Sequence, residues 1–268
     1  MTDLLPLPAA GFLDGPTAPR AFAEHITGEG DGRVLVAFDP ADHRLNQELA
    51  LGLLSALGPV LAVYPVDGCW SSLQVRTEAD PGRTHGTGEN QLHVDLVDRD
   101  LIPRYIALYC EREDPAGGGA SALADLWAAA AELGDAERAL LQQPVFSYWT
   151  DQGVHGVGDP LERFAVLPQE LEPGLPIRFT SKMRPHLLRG ELLEGTDAAR
   201  QETAAAFGAL ADAALRHRTT VRLRPGQLLV FDQLRWAHGR MPLGAGQEAI
   251  EPGRRRLLRQ TYVQGGVR

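Results

Sequence analysis

The stretch TTVRLRPGQLLVFDQ, residues 219–233, decides the fold class that the sequence predicts. Its two β-leaning runs flank Pro225-Gly226, a dipeptide that marks a tight turn. Further strand-like runs lie between glycine- and proline-rich segments, at 60–66, 91–97, 103–110, 144–150, 175–180 and near 256–263. Many short strands, with helices mostly before and between them, predict a mainly β protein with flanking α-helices, built as a sandwich or a barrel.

Two longer segments have the composition of helices. Residues 122–143 are rich in alanine and leucine, which predicts a helix with a break near Gly134-Asp135. A second helix is predicted from about Asp197 to His217, with Thr196 or Asp197 as the N-cap residue. The strands are therefore expected to be supported by helices on their outer faces.

Length and composition limit the classes of protein that fit. With 268 residues, 44% hydrophobic and 23% charged, the chain is expected to fold as a single domain over residues 1–268. A net charge of −9 argues against a nucleic-acid partner, and no run approaches the roughly 18 apolar residues that span a membrane. Residues 1–20 lack the basic start of a signal peptide. Two cysteines, Cys69 and Cys110, are too few for a disulfide framework, so a cytoplasmic protein is expected.

The motif His93-Val94-Asp95 is the first candidate for a metal site. It lies in a strand-like run, where residues i and i+2 share a face, so its imidazole and carboxylate can converge on one ion. His238 supplies a second imidazole at the end of the apolar run that precedes it. Two histidines and one carboxylate, with open coordination positions, form the facial triad of non-haem iron(II) oxygenases.

Arginines follow the second histidine. Arg255 and Arg259 are four residues apart in a β-leaning run and are therefore expected on one face of a strand. The planar guanidinium group of arginine suits bidentate binding of a carboxylate. Each of these motifs alone could occur by chance. Their occurrence together, in the order His-x-Asp, distant histidine and paired arginines, is less expected by chance.

These motifs resemble the taurine dioxygenase and clavaminate synthase branch of the iron(II)/2-oxoglutarate oxygenases. The matching pieces span roughly residues 90–263 and are QLHVD (91–95), GGGAS (117–121), GQLLVFDQLRWAHGR (226–240) and RRRLLRQTYV (254–263). The resemblance implies a double-stranded β-helix, or jelly-roll, core with iron at its open mouth. It also implies Fe(II), 2-oxoglutarate as co-substrate, and O₂.

The resemblance also implies roles for single residues. His93, Asp95 and His238 match the metal ligands, and Arg255 matches the arginine that binds the distal carboxylate of 2-oxoglutarate. The segment between His238 and Arg255 is a few residues longer than the family pattern, so the neighbouring Arg254 and Arg256 stay open as alternatives.

Three further positions are candidates for ligand contacts. Ser121 stands where the family usually has a threonine, and the serine retains the hydroxyl that bonds the same carboxylate. Arg259 matches a second arginine that often meets the acidic group of the substrate. Asn90, three residues before His93, is a second candidate for contact with the substrate on position alone.

The expected reaction is hydroxylation of an aliphatic C–H bond. Asp95 fills the position that related halogenases leave open for chloride, although desaturation and ring closure stay open. With Arg259 near the iron, the expected substrate is small and acid-bearing, either a free amino acid or its derivative in specialised metabolism. An aliphatic sulfonate is the second choice. A non-redox zinc or manganese jelly-roll enzyme and a non-catalytic binding protein are the alternatives from other classes. The sequence predicts no oligomeric state.

Overall fold

Two β-sheets face each other in the computed structural model of the chain, which describes residues 4–13, 18–28, 30–64, 68–77, 82–148, 154–172 and 174–265. The larger sheet has its strands in the order β1 (Leu7–Pro8), β2 (Arg33–Ala37), β9 (Gln227–Asp232), β6 (Tyr105–Arg112), β11 (Leu257–Val263) and β3 (Val60–Leu61), with β4 (Ser71–Gln74) also paired to β11. The smaller sheet has the order β5 (Asn90–His93), β10 (Trp236–Arg240), β7 (Ser121–Asp125) and β8 (Arg218–Val221). Neighbouring strands are antiparallel except for β1 and β2.

Helices pack on the outer faces of both sheets. The helices in the described ranges are α1 (Ala10–Leu13), α2 (Ala18–Thr27), α3 (His43–Leu54), α4 (Gly82–His85), α5 (Leu126–Ala131), α6 (Asp135–Leu141), α7 (Arg184–Leu187) and α8 (Asp197–Arg216). Apolar residues of α2 and α3 pack on the larger sheet, and those of α5 and α8 pack beneath the smaller one. A third apolar cluster, which includes Leu123, Phe231 and Tyr262, fills the space between the sheets. Within the described ranges, no helix is both long and apolar enough to cross a bilayer.

The structure confirms several sequence-based elements. Helix α8 begins after Thr196, whose hydroxyl accepts a hydrogen bond from the Ala199 amide as an N-cap. The helical segment 122–143 does break before Asp135, and strands β8 and β9 lie where the 219–233 stretch predicts them. The fold is therefore mainly sheet, with mostly antiparallel strands and flanking helices.

Other sequence-based expectations were wrong. Residues 122–125 are not helical but belong to β7, because that strand pairs with both β10 and β8 and this pairing outweighs the helical preference of alanine. The runs near 144–150 and 175–180 form only isolated bridges through Phe146 and Thr180, and residues 149 and 150 lie outside the described part of the chain. The run at 60–66 contributes the two-residue strand β3, and 65 and 66 are also outside the described ranges.

Asp114 joins the turn before β7 to the segment after β10. Its buried carboxylate accepts hydrogen bonds from the backbone amides of Ala116 and Gly118 in its own turn. It also accepts them from the amide of Gly244 and the side chain of Gln247. Burial alone would raise the pKa of Asp114, but these donors together hold that pKa below its ordinary value. One carboxylate thus fixes the entry to β7 and the exit from β10.

We expect Asp114→Asn to lower the free energy of unfolding at pH 7 by about 2–3 kcal/mol, the scale for hydrogen bonds to a charged group. The lowered folded-state pKa means that this contribution is present above the unfolded value near 3.8 and is lost as the pH falls through the folded value. Urea unfolding at pH 7 and pH 3 should therefore show a difference from wild type that shrinks at pH 3.

Asp135→Asn is the control for this prediction, because the Asp135 side chain is exposed and its one ion pair within the described ranges is with Arg138 on its own helix. It should leave stability unchanged at both pH values. An Asp114→Asn protein as stable as wild type at pH 7 would mean that the carboxylate does not hold the two segments together.

Candidate metal centre and adjoining cavity

A cavity of about 610 Å³ opens between the two sheets. The smaller sheet contributes Asn90, His93, Ser121, His238 and Arg240 to its wall. The larger sheet contributes Ser71, Ser72, Leu108, Arg256, Leu258, Gln260 and Tyr262. Asp95, which follows β5, lies between these two groups of side chains. The cavity therefore brings polar side chains from distant parts of the sequence to one place.

His93, Asp95 and His238 converge on one side of this cavity. Each offers one ligand atom, and these three atoms all lie within 4.8 Å of one another. His93 and His238 are paired in register on β5 and β10, with ring centroids 4.3 Å apart. The Nε2 atom of His93 is 3.3 Å from Asp95 Oδ1, and that of His238 is 3.6 Å from Asp95 Oδ2. The strand register, rather than proximity in sequence, brings the second histidine to the first.

The protonation of these groups suits a metal ion. His93 Nδ1 lies 2.7 Å from the carbonyl oxygen of Gln91, which can only accept, so Nδ1 donates and Nε2 is the nitrogen turned towards Asp95. Burial lowers the pKa of His238 to about 3, with His93 and Lys182 acting in the same direction and Asp95 opposing it. Two imidazoles and a carboxylate are the donor set that Fe(II) takes in facial-triad enzymes, so the residues fit that ion.

Asp95 is held by groups from both sheets. Its Oδ2 atom accepts hydrogen bonds from Gln260 Nε2 at 3.0 Å and from Tyr262 Oη at 2.8 Å. Its backbone amide donates to the side chain of the fully buried Gln233 at 3.0 Å. Burial favours the neutral acid, but His238, His93 and Tyr262 together hold the pKa of Asp95 well below its ordinary value. The carboxylate is therefore ionised and has a fixed orientation.

Arg256 is the cation that faces the cavity. It is 7% exposed, and within the described ranges no hydrogen bond or ion pair satisfies its guanidinium group. Burial and, to a smaller extent, the charge of Arg240 lower its pKa to about 10, while Cys110 and Asp114 oppose the shift. Ser121, at the start of β7, lines the same cavity. A buried cation without a counter-ion requires an anionic ligand.

Gly119 makes room for Arg256. Its φ of +70° is in the left-handed region, and a Cβ atom there would lie 2.9 Å from Cδ and 3.1 Å from Nε of Arg256. The glycines of the GGGAS motif therefore allow the turn before β7 to pass close to this side chain. This packing gives a physical reason for a glycine at position 119.

The structure does not bring Arg255 and Arg259 to the cavity, contrary to the sequence-based expectation. Arg255 lies in a bend before β11, and neither its side chain nor that of Arg259 lines the cavity. Arg255 donates through Nε to the carbonyl of Ile250 at 2.8 Å, and Arg259 donates to Glu111 at 2.5 Å. Arg254 is exposed in a short 3-10 turn. Of the three neighbouring arginines that the sequence leaves open, Arg256 is the one that lines the cavity.

Asn90 does line the cavity, as expected from its position. Its Oδ1 atom is buried, and among the described residues none donates a hydrogen bond to it. Arg240 also reaches the cavity, but its guanidinium group donates to the carbonyls of Gly86 and Gly88, at 2.7 and 2.6 Å. Asn90 thus brings a hydrogen-bond acceptor without a donor to the wall of the cavity.

Comparison with known proteins gives the family. The sequence model named taurine catabolism dioxygenase TauD, TfdA family matches residues 56–262, and the chain belongs to this family. The protein is accordingly a 2-oxoglutarate-dependent dioxygenase that uses Fe(II) and O₂. A search of curated protein sequences found no match.

Solved structures with the same fold support the assignment. An asparagine oxygenase in complex with Fe(II), 2S,3S-3-hydroxyasparagine and succinate is 20% identical, with a TM-score of 0.70 over 93% of this chain and 79% of that one. The non-heme iron oxygenase OrfP, in complex with Fe and alpha-ketoglutaric acid, is 17% identical, with a TM-score of 0.69 over 93% of this chain and 80% of that one. At these identities, the likeness is one of fold.

Sequence reasoning missed Gln233, Gln260 and Tyr262, which contact Asp95, and Arg240. The alternation of side chains along β11 would have revealed two of them, because Gln260 and Tyr262 share a face with Arg256.

We expect divalent metal to stabilise the wild-type protein but not His238→Ala. Ligand that binds only the folded state at about 100 times its Kd adds about 2.7 kcal/mol to stability. Thermal unfolding with and without Fe(II) under argon, or with Mn(II) in air, measures this difference. His85→Ala is a matched control, because His85 also lines the cavity but bonds the Gln74 carbonyl through Nδ1. If the metal raised the Tm of His238→Ala as much as that of wild type, His238 would not be a metal ligand.

Proposed function

We propose that the protein hydroxylates an aliphatic C–H bond of a small substrate, a free amino acid or a derivative, in specialised metabolism. The observation that carries this proposal is the convergence of His93, Asp95 and His238 beside Arg256, a buried cation without a partner in the described structure. The two histidines and the aspartate suit a metal ion, and the buried guanidinium group of Arg256 suits the carboxylate of an acidic co-substrate.

In this proposal His93, Asp95 and His238 are the metal ligands. Three protein donors leave three positions on a six-coordinate ion, enough for a two-point chelate and for O₂. Fe(II) with bound 2-oxoglutarate supplies the oxidising chemistry and yields succinate and CO₂. The protein positions and orients the ligands. Its two sheets, each packed against apolar residues on its outer face, shield the reacting groups from water.

Arg256 and Ser121 are proposed to bind the distal carboxylate of 2-oxoglutarate. Both line the cavity, and the buried guanidinium has no competing carboxylate among the described residues. A charged, bidentate hydrogen-bond donor and a hydroxyl acting on one carboxylate are the groups that such an anion requires. Arg255 is not retained as the candidate, because its Nε is already bonded to the Ile250 carbonyl.

Asn90 is proposed to contact the substrate. Asn90 lines the cavity and its buried Oδ1 has no donor among the described residues, so a ligand that presents an N–H donor would satisfy it. The amino group of an amino acid is such a donor. Arg259 no longer supports an acid-bearing substrate, because Glu111 is its anionic partner. The choice of an amino acid is supported instead by the ligands of the similar structures, 3-hydroxyasparagine in one and arginine derivatives in the other.

The arrangement of the sheets supports a jelly-roll core. An antiparallel four-stranded sheet faces the larger sheet, and the cavity opens between them. We propose that residues 1–268 form one such domain and that the protein acts in the cytoplasm on small molecules.

Arg256→Ala should weaken 2-oxoglutarate binding by about 2–5 kcal/mol, the scale for losing one partner of a buried charge pair. Arg255→Ala is the matched control and should bind the co-substrate like wild type. Anaerobic titration of the Fe(II) protein, followed by its visible charge-transfer band, measures both affinities. The reverse result, with Arg255→Ala weakened and Arg256→Ala unaffected, would return the role to Arg255.

The function itself is tested by turnover. The protein is incubated with Fe(II), ascorbate and 2-oxoglutarate against a panel of amino acids, their N-acetyl derivatives and taurine. One amino acid should give succinate coupled to a product about 16 mass units heavier, as hydroxylation requires. Asn90→Leu should then raise the KM for that amino acid and leave the affinity for 2-oxoglutarate unchanged. Coupled turnover of taurine alone, or of an N-acetyl derivative in preference to the free amino acid, would contradict the proposed substrate.

A further inference from the structure

Two residues of β11 contact the outer oxygen of the metal-site carboxylate. Gln260 Nε2 carries two hydrogens, and its neighbours accept both, because Asp95 Oδ2 lies 3.0 Å away and Tyr262 Oη 2.9 Å away. The single hydrogen of the Tyr262 hydroxyl is donated to Asp95 Oδ2 at 2.8 Å. Every hydrogen of the two donor groups is therefore used, and the three side chains form a closed triangle.

The two oxygens of Asp95 have different surroundings. Each oxygen lies near one histidine, Oδ1 at 3.3 Å from His93 Nε2 and Oδ2 at 3.6 Å from His238 Nε2, but Oδ2 receives both hydrogen bonds from β11. An oxygen that already accepts two hydrogen bonds is a weaker and less accessible metal ligand than its partner. The hydrogen bonds, rather than the distances to the histidines, therefore distinguish the two oxygens.

We propose that Gln260 and Tyr262 are positioning residues that hold Asp95 so that it binds the metal through Oδ1 alone. A carboxylate that also bound through Oδ2 would occupy a fourth coordination position, one that the chelating co-substrate and O₂ need. The triangle thus keeps three positions open. This inference rests on the proposed metal site, but not on the proposed substrate.

The same arrangement explains why position 260 is an amide. Gln260 lies four residues after Arg256 on the same face of the strand, and both residues line the cavity. A cation at 260 would meet Asp95 as an ion pair and compete with the metal for the carboxylate. A neutral amide can donate to Oδ2 without removing the charge that the metal requires.

The test uses the full-length protein with Fe(II), and its variants are Tyr262→Phe and Gln260→Met. Each removes hydrogen-bond donors and nearly conserves side-chain volume. Tyr109→Phe is the matched control, because Tyr109 is equally buried on β6 and its hydroxyl contacts His43 and Asn46, outside the cavity. The readouts are the Fe(II) dissociation constant from anaerobic titration, the position of the Fe(II)–2-oxoglutarate band, and the Tm of the metal-free protein.

Each site variant should bind Fe(II) about 10-fold more weakly than wild type, the lower end for residues that orient a metal ligand. Each should also shift the band, whereas Tyr109→Phe should lower only the Tm. The double variant should lose less than the product of the two single effects, because Gln260 also bonds Tyr262.

Three results would contradict these proposals. Site variants that bind Fe(II) within about 2-fold of wild type and keep its band would overturn the positioning role while leaving the metal site intact. A Tyr109→Phe protein that loses Fe(II) affinity as strongly would also overturn it, since the effect would then follow stability. A wild-type protein that binds no Fe(II) would refute the metal site itself. None of these readouts depends on finding the organic substrate.

Discussion

The cavity depends on which face of β11 each side chain occupies. Side chains alternate along a strand, so the face towards the smaller sheet carries Arg256, Leu258, Gln260 and Tyr262. The same face thus bears the unpaired cation and both donors to Asp95. If the pairing of β11 shifted by one residue, these four side chains would turn away from the cavity. Arg255 and Arg259, with the apolar and hydroxyl side chains that alternate with them, would face it instead. Register is therefore the constraint that assembles the site.

A bulge in the neighbouring strand accompanies this register. Leu257 pairs with Arg112 and Leu258 with Cys110, so β6 carries one extra residue, Glu111, at this point. The carboxylate of Glu111 then meets Arg259, whose side chain also bonds Ser72. On the outer face of β11, Arg259 has an anionic partner within the protein, whereas Arg256 on the inner face has none among the described residues. Arg256 and Arg259 carry the same guanidinium group, so the difference between them comes from the residues that surround each one.

Sequence reasoning could single out His93, Asp95 and His238 but not the arginine that lines the cavity. His93 and Asp95 are separated by one residue, so their convergence follows from local geometry, and only His238 needed a tertiary contact. The choice among Arg254, Arg255 and Arg256 depended instead on long-range pairing and on a bulge, neither of which is encoded in the run of arginines itself. The same limit applies to β7, whose alanine-rich sequence favours a helix until two neighbouring strands pair with it. Mainly β architecture with flanking helices was predictable because strands, turns and helix caps carry local signals.

The turn that begins at Asp114 also affects where residues could be inserted into the chain or deleted from it. Gly118 and Gly244 lie so close together that a Cβ atom on either would overlap the backbone of the other segment, and Asp114 fastens the two together. This junction fixes the exit from β10 independently of the residues that come later, and 251–254 run exposed over the surface before β11. Insertions and deletions between Gln247 and Arg254 can therefore accumulate during evolution without displacing the active-site strands, whereas the junction itself tolerates neither added side chains nor added residues.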